Sequence, residues 1–454
     1  MKISNSRLFS LDVFRGMTIA LMITVNIPGS WEYIYAPLKH AEWHGCTPTD
    51  LVFPFFLFIV GASIAFSFSK FNYKLSFGSV YKIIERTFLI FTVGFMLNNY
   101  PFFTNELSSA TLTGSIIQII YRICITMIPF LGFIWLIKQL FSKAGKFIPE
   151  NKSNIAKIIY LFILLVLAGL LLYLLLSALY RIEFFNKDFS SIRIMGVLQR
   201  IALAYGFGAI IILLVRQKYI PFVAAIILFL YWFLSWYFGG NDPYSLESNI
   251  GRQIDIILLG ESHLWTGKGI PFDPEGLFST ISSIGTVLIG FLTGKYILDN
   301  MNSKNPWLLK LVLSGILLVL AGQLWGLVFP INKPLWTSSY VLYTSGLAIL
   351  VLTLMFWLID MLNYKKLFTF FNVFGVNPLF AFSLHVIWVK IIGSIIKWEV
   401  AEGETTNAYA WIYSNVFQAI GGNYLGSLLF AVTHIGFFYF ILLILYRKKI
   451  FIKI

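Results

Sequence analysis

Twelve apolar runs divide this chain, at 13–31, 51–69, 86–99, 113–137, 156–180, 194–215, 219–238, 278–298, 307–329, 335–361, 367–396 and 423–446. Most are long enough to carry a helix through about 30 Å of hydrocarbon. Such repetition points to one architecture, an all-α polytopic membrane bundle of about twelve transmembrane helices. Composition agrees, because 454 residues that are 58% hydrophobic and 12% charged have too little polar surface to cover a soluble globule. The first segment opens with few charges and runs into Asp12 and Arg15 without a small-residue cleavage site, so it reads as a retained span and not a removed signal. The whole of 1–454 is expected to be a single transmembrane domain, and an even number of crossings puts both termini on one side.

The distribution of charge says which side. With a cytoplasmic N-terminus, most of the 34 basic residues fall in inner segments and most of the 20 acidic residues in outer ones, as the positive-inside rule requires. The net charge of +14 is then spread over short cytoplasmic turns, which removes a nucleic-acid reading and leaves the lipid bilayer as the partner. Two cysteines, Cys46 and Cys124, cannot build a disulfide framework and read as free thiols.

The densest polar cluster lies between residues 7 and 59. Arg7, Asp12 and Arg15 stand at one end of a single crossing, and Asn26, His40, Trp43, His44 and Asp50 at the other. Ionisable groups beside a bilayer are costly unless they pair or do chemistry. The orientation puts the loop 32–49, with His40 and His44, on the outer face. Four other outer stretches are polar and turn-rich: 190–199, 239–276, 330–339 and 397–407. They read either as the wall of a pocket for a polar or cationic ligand or as ordinary solvated loop. His40 and His44 are one helical turn apart, yet no third ligand stands near them, so no metal is expected. His434 reads as a packed core histidine. His385, which follows Asn377-Pro378, either hydrogen-bonds within the core or lines a tunnel. Arg122 and Arg200 lie within spans and each needs a carboxylate, a carbonyl, an anionic cofactor or a headgroup.

Several blocks carry a resemblance. Ser10-Leu11-Asp12-Val13-Phe14-Arg15-Gly16, Lys39-His40-Ala41-Glu42-Trp43-His44-Gly45, Thr49-Asp50-Leu51-Val52-Phe53-Pro54, Gly196-Val197-Leu198-Gln199-Arg200, Phe272-Asp273-Pro274-Glu275-Gly276 and Pro330-Ile331-Asn332-Lys333-Pro334-Leu335-Trp336 follow one another in the chain. Together they resemble the catalytic domain of the heparan-alpha-glucosaminide N-acetyltransferase family, transmembrane enzymes that acetylate terminal glucosamine with acetyl-CoA. Two departures stand out. The family's large amino-terminal part is absent, and 100–188 reads as an insertion with two extra spans. The chain is therefore taken for a bacterial relative, multi-pass in an inner membrane, with an acceptor that need not be heparan sulfate.

The resemblance implies acetyl transfer from acetyl-CoA, as co-substrate, to an amino sugar on the outer face. His40 matches the family's active-site histidine and is expected to act as base or as acetyl carrier. Asn26 matches an active-site asparagine, placed to hold the thioester carbonyl oxygen or to orient His40. Asp50, Trp43, Asp255, Asp273, Glu275 and Trp336 are the acceptor-side candidates, although Asp273-Pro274-Glu275-Gly276 serves equally well as a structural turn. Arg15, Lys82, Arg86 and Lys295 are candidates for the CoA phosphates, or else only set topology. Arg200 and His385 complete the cofactor-binding set along a tunnel. A homodimer is left open. Two other readings remain at this stage: O-acetylation of a cell-surface sugar, and a sugar permease without acyl transfer.

Overall fold

The computed structural model describes residues 8–101, 189–303, 306–401 and 404–452, together with some helical positions between 120 and 171. The regular structure of the described residues is helical, apart from one short hairpin. Its principal helices are α1 Phe9–Asn26, α2 Val52–Phe68, α3 Phe77–Asn99, α4 Val197–Leu214, α5 Ile220–Phe238, α6 Ile250–Leu259, α7 Leu277–Asn300, α8 Trp307–Trp325, α9 Ser338–Phe356, α10 Thr369–Val376, α11 Pro378–Lys390 and α12 Gln418–Arg447. Nine helical stretches among the described residues are long and apolar enough to cross a membrane. This is the all-α polytopic architecture expected from the apolar runs.

Local chemistry sets where the helices start. The Ser76 hydroxyl accepts from the Ser79 amide and begins α3, and Thr337 does the same for α9 through the Tyr340 amide. Because Ser76 lies well upstream of its apolar window, the run expected at 86–99 is the second half of a longer helix, whose first turns carry Lys82, Glu85 and Arg86. The run expected at 367–396 is not one crossing. Asn377 leaves helical geometry at φ −126° and ψ 56°, and Pro378, which has no N–H to give, opens a new helix there. The stretch 397–407 forms an antiparallel hairpin, β1 Lys397–Ala401 with β2 Glu404–Asn407, where open loop was expected. Most of the runs at 113–137 and 156–180, and of the 100–188 insertion, lies outside the described residues, as do Arg7 and Arg122. At the end of the first of these runs, Leu131–Phe141 is helical and packs Phe133, Ile137 and Phe141 against Tyr81 and Leu89 of α3.

Glycines let two helix pairs touch backbone to backbone. A methyl group at Gly16 of α1 would sit 1.7 Å from the Phe371 carbonyl oxygen of α10, and one at Gly375 would sit 1.8 Å from that of Asp12. On the α2–α7 contact the corresponding distances are 2.0 Å, from Gly61 to the Val287 oxygen, and 2.1 Å, from Gly290 to the Phe58 oxygen. Without a hydrophobic drive between helices in lipid, close approach of this kind supplies the packing energy. It makes α7 a central post, buried around most of its circumference. Helices α5 and α8 instead leave Phe222, Ile226 and Phe229, and Leu313, Leu317 and Leu324, exposed, as lipid-facing surfaces require.

The same packing gathers one end of the bundle. There α1 finishes, while α2, α4, α7 and α9 all begin. Four helix N-termini, each with unsatisfied N–H groups and a partial positive charge, therefore converge around the segments that carry the candidate residues.

Candidate active site

At this end of the bundle lies a cleft with about 190 Å³ of space for water-sized groups, open to one side. Its mouth is formed by His40, Lys333 and Glu275. Asn26 lines it at the last residue of α1, and below that it runs between α1, α2 and α4 past Met22, Phe56 and Ile201 to Thr18. A second cavity shares Asn26, Val197, Leu198 and Phe382 with the first and continues to His385, Arg193 and Lys390.

His40 sits on the loop after α1, its ring half exposed. Nδ1 lies 2.6 Å from Oδ1 of Asp50. An ionised carboxylate only accepts, so Nδ1 carries the proton and donates, leaving Nε2 as the basic nitrogen. Nε2 makes no hydrogen bond within the described residues. Asp50 is held firmly. Its Oδ2 accepts from the Ala41 amide at 3.1 Å, the Thr47 amide at 3.0 Å and the Thr47 hydroxyl at 3.0 Å, and its backbone carbonyl accepts from the buried Tyr340 hydroxyl at 2.6 Å. The ring is thus aimed by Asp50. Asn26, the other candidate for that task, makes no side-chain hydrogen bond among the described residues, and the residue is exposed and lines the cleft.

Across the mouth, Arg193 organises the opposite wall. Its guanidinium donates to both oxygens of Asp273, at 2.8 Å each, and to Glu275 Oε2 at 2.6 Å. Burial opposes the arginine's charge, but the two carboxylates outweigh it and hold the guanidinium more firmly protonated than usual. Asp273 Oδ1 also accepts from the Glu275 amide at 2.9 Å, which fixes the turn. Glu275 is the carboxylate that reaches the cleft.

Four of the acceptor-side candidates lie behind the lining of this cleft. Asp50, Asp255, Asp273 and Trp336 are each 2% exposed or less and none lines the cleft. Asp50 is consumed by His40 and Thr47, and Asp273 by Arg193. Asp255 caps α7, its Oδ1 accepting from the Leu277 and Phe278 amides at 2.9 and 3.2 Å; burial pushes its carboxyl up to about 7. Trp336 packs edge-on against Phe53 and Tyr340. Trp43 is half buried against Phe272 and faces a separate shallow depression with His44, Asp242 and Lys268.

The cofactor-side candidates do not form one site. Arg15 ties three helices, donating to Asp12 at 2.9 Å, Ser63 at 2.7 Å and the Gly375 carbonyl at 3.3 Å. Lys82 lies over Phe71, Lys295 over Tyr73 and Arg86 over Tyr205, all toward the end of the bundle away from His40. Lys295 also pairs with Asp299 at 2.8 Å. Arg200 is fully buried at the His40 end, 4.9 Å from the Trp336 ring and hydrogen-bonded to Ser279 at the start of α7. His385 donates to the Phe382 carbonyl at 2.8 Å and lines the second cavity, so it is both core-bonded and cavity-lining. His434 is the packed core histidine expected, bonded to the Phe430 carbonyl at 2.8 Å.

Two site residues escaped the sequence reading, Arg193 and Lys333. Each is a cation on the face where basic residues are scarce, and that scarcity was the available signal.

The family model described as heparan-alpha-glucosaminide N-acetyltransferase, catalytic, matches residues 7–144. The human heparan-alpha-glucosaminide N-acetyltransferase is 26% identical over 473 residues, covering 99% of this chain and 60% of the human protein. The mouse heparan-alpha-glucosaminide N-acetyltransferase is 25% identical over 430 residues, covering 88% of this chain and 56% of its own length. The chain thus spans well under two thirds of the curated relatives it matches.

Proposed function

We propose, from the premise that this chain is a relative of the heparan-alpha-glucosaminide N-acetyltransferase family, that it moves an acetyl group from acetyl-CoA to the amine of a glucosamine-type sugar in the cleft beneath His40. One observation carries the reading. A half-exposed imidazole, its Nδ1 bonded to a buried carboxylate, lines the same cleft as an unbonded carboxamide.

Acyl transfer to an amine needs a base for the ammonium proton and donors for the oxyanion that forms as the thioester carbonyl becomes tetrahedral. His40 Nε2 is the base, or the atom that carries the acetyl group between donor and acceptor; both roles use the same lone pair. Asp50 keeps the tautomer and stabilises the imidazolium once Nε2 is protonated. The Asn26 amide N–H donates to the carbonyl oxygen, and the converging helix N-termini favour negative charge there. Glu275, braced by Arg193, takes the acceptor's ammonium or a hydroxyl. The apolar run of the cleft from Met22 to Thr18 suits a thin pantetheine arm, and its polar mouth suits a sugar. In this reading the chain is a multi-pass protein of a bacterial inner membrane, with the His40 end outside and both termini in the cytoplasm.

The test is acetyl transfer from labelled acetyl-CoA to glucosamine by the purified protein in detergent, beside His40→Ala. Label in an acid-stable amide that disappears in the variant supports the assignment. A base-labile product identifies O-acetylation instead, and retained turnover in the variant removes His40 from the chemistry.

A further inference from the structure

We infer that the second cavity is a lateral chamber for the lipid tail of the acceptor, so that the amino sugar reaches His40 carried on a membrane lipid; this rests on the acetyl-transfer reading above. The cavity has about 270 Å³ of space for water-sized groups, between the end of α3, the start of α4 and α11. It meets the cleft at Asn26, Val197, Leu198 and Phe382. From Phe382 to Lys390 it follows α11 for about 12 Å, at about 1.5 Å per residue. That is most of the depth of one leaflet's hydrocarbon, about 15 Å.

The walls are mostly apolar: Leu97 of α3, Val197 and Leu198 of α4, and Phe382, Val386 and Val389 of α11. Helix α11 is loosely held. Only its Ala381 and His385 are buried, which makes it a peripheral helix with bilayer on its far side. At its tip Lys390 Nζ donates to the carbonyls of Leu97, Asn98 and Tyr100 at 2.7, 2.9 and 2.8 Å, where α3 ends and its carbonyls carry partial negative charge. The lysine ties the two helices together at the His40 end, above the apolar walls, so the way in from the bilayer runs between α3 and α11. The described helix of the insertion, Leu131–Phe141, packs on Tyr81 and Leu89, more than a turn before Gly94, the first chamber-lining residue of α3.

A buried polar atom in the same chamber calls for a ligand. His385 is 3% exposed and lines the chamber. Its Nδ1 lies 2.8 Å from the Phe382 carbonyl, which only accepts, so Nδ1 carries the proton and Nε2 is left as an acceptor. Nε2 has no hydrogen-bond partner among the described residues, and a buried acceptor left without one is costly. A hydroxyl at the junction of sugar and tail supplies the donor. The apolar walls beyond it suit hydrocarbon, whereas a second sugar unit would need several polar partners. With the tail in the chamber, the sugar lies at Asn26, where the chamber and the cleft join. The chemistry there is unchanged: the neutral amine forms the N–C bond as the thioester C–S bond breaks, and the one proton it sheds goes to the leaving thiolate.

The experiment compares acetyl transfer from acetyl-CoA to octyl and to methyl β-glucosaminide by the full chain in phospholipid nanodiscs, in wild type and Val386→Trp. Val386 lines the chamber and not the cleft. In the variant kcat/KM for octyl glucosaminide should fall by about tenfold or more, while that for methyl glucosaminide stays within about twofold. An equal fall for both acceptors, or none for either, overturns the inference. So does a fall confined to a water-soluble glucosamine trisaccharide, which would make the chamber a saccharide groove. Binding is read without turnover from octyl glucosaminide carrying a photoreactive diazirine at the end of its tail, with the labelled peptides of wild type identified by mass spectrometry. Should no acetyl be transferred, or the variant fail to fold, this labelling decides: labels on α3 and α11 that octyl but not methyl glucosaminide displaces sustain the chamber, and labels spread equally over the lipid-facing α5 and α8 end it.

Discussion

His40 Nδ1 and Asp50 Oδ1 are 2.6 Å apart across the junction between a half-exposed loop and the entry to α2, so an exposed side chain of the site is tethered to a buried one. Replacing Asp50 by asparagine keeps the shape but removes the charge that selects the Nδ1–H tautomer. Acetyl transfer should fall by about 10²–10⁴-fold with the protein still monodisperse and helical by circular dichroism. Activity within threefold of wild type would show that His40 needs no partner.

Asn26 ends α1 without a side-chain hydrogen bond among the described residues, so Asn26→Ala removes nothing that holds the fold. The expected result is an unchanged thermal midpoint and a kcat lower by about 10²–10³-fold, the usual cost of one oxyanion donor. A rise in KM alone would assign Asn26 to ground-state binding.

Arg193 and Glu275 should separate stability from recognition. Arg193→Met leaves Asp273 buried and unpaired, at a cost of about 3 kcal/mol in unfolding measurements. Glu275→Gln keeps a partner for Arg193 and should change stability by less than about 1 kcal/mol, while raising KM for the amino sugar several-fold. Equal KM in the variant and wild type would exclude Glu275 from the acceptor site.

The glycine contacts predict a contrast between two alanines. Gly61→Ala forces a methyl within 2.0 Å of the Val287 carbonyl and must push α2 from α7, lowering stability by about 2 kcal/mol or more. Gly78→Ala, at the start of α3 with open space around it, should raise stability by about 0.5–1 kcal/mol. Thermal unfolding followed in the same detergent compares the two directly.

The apolar windows made the class and most helices legible, because in lipid the hydrophobic pattern is itself the fold. They misplaced ends wherever a cap or a proline decided instead: Ser76 starts α3 upstream of its apolar part, and Pro378 splits α10 from α11. The site was half legible. His40, Asn26 and Glu275 meet at one cleft, as their types and loops suggested. Carboxylate composition could not tell Glu275, which reaches the cleft, from Asp50, Asp255 and Asp273, which are spent on an imidazole, a helix end and an arginine. That distinction lies in which backbone amides and cations the folded chain brings to each oxygen, and residues as far apart as 50 and 333, or 193 and 273, carry no mark of it in sequence.

The lining of the cleft by Thr18, Met22 and Asn26 has an electrical meaning. These positions descend two turns of α1, about 12 Å of a helix about 27 Å long. A water-filled cleft would carry the potential of the His40 side down to Thr18. In an energised membrane the voltage then drops across the layer that remains below, roughly half the insulating thickness, and the local field is about doubled there. Charge crossing that layer feels nearly the whole transmembrane voltage, whereas charge moving between Glu275 and His40 feels almost none.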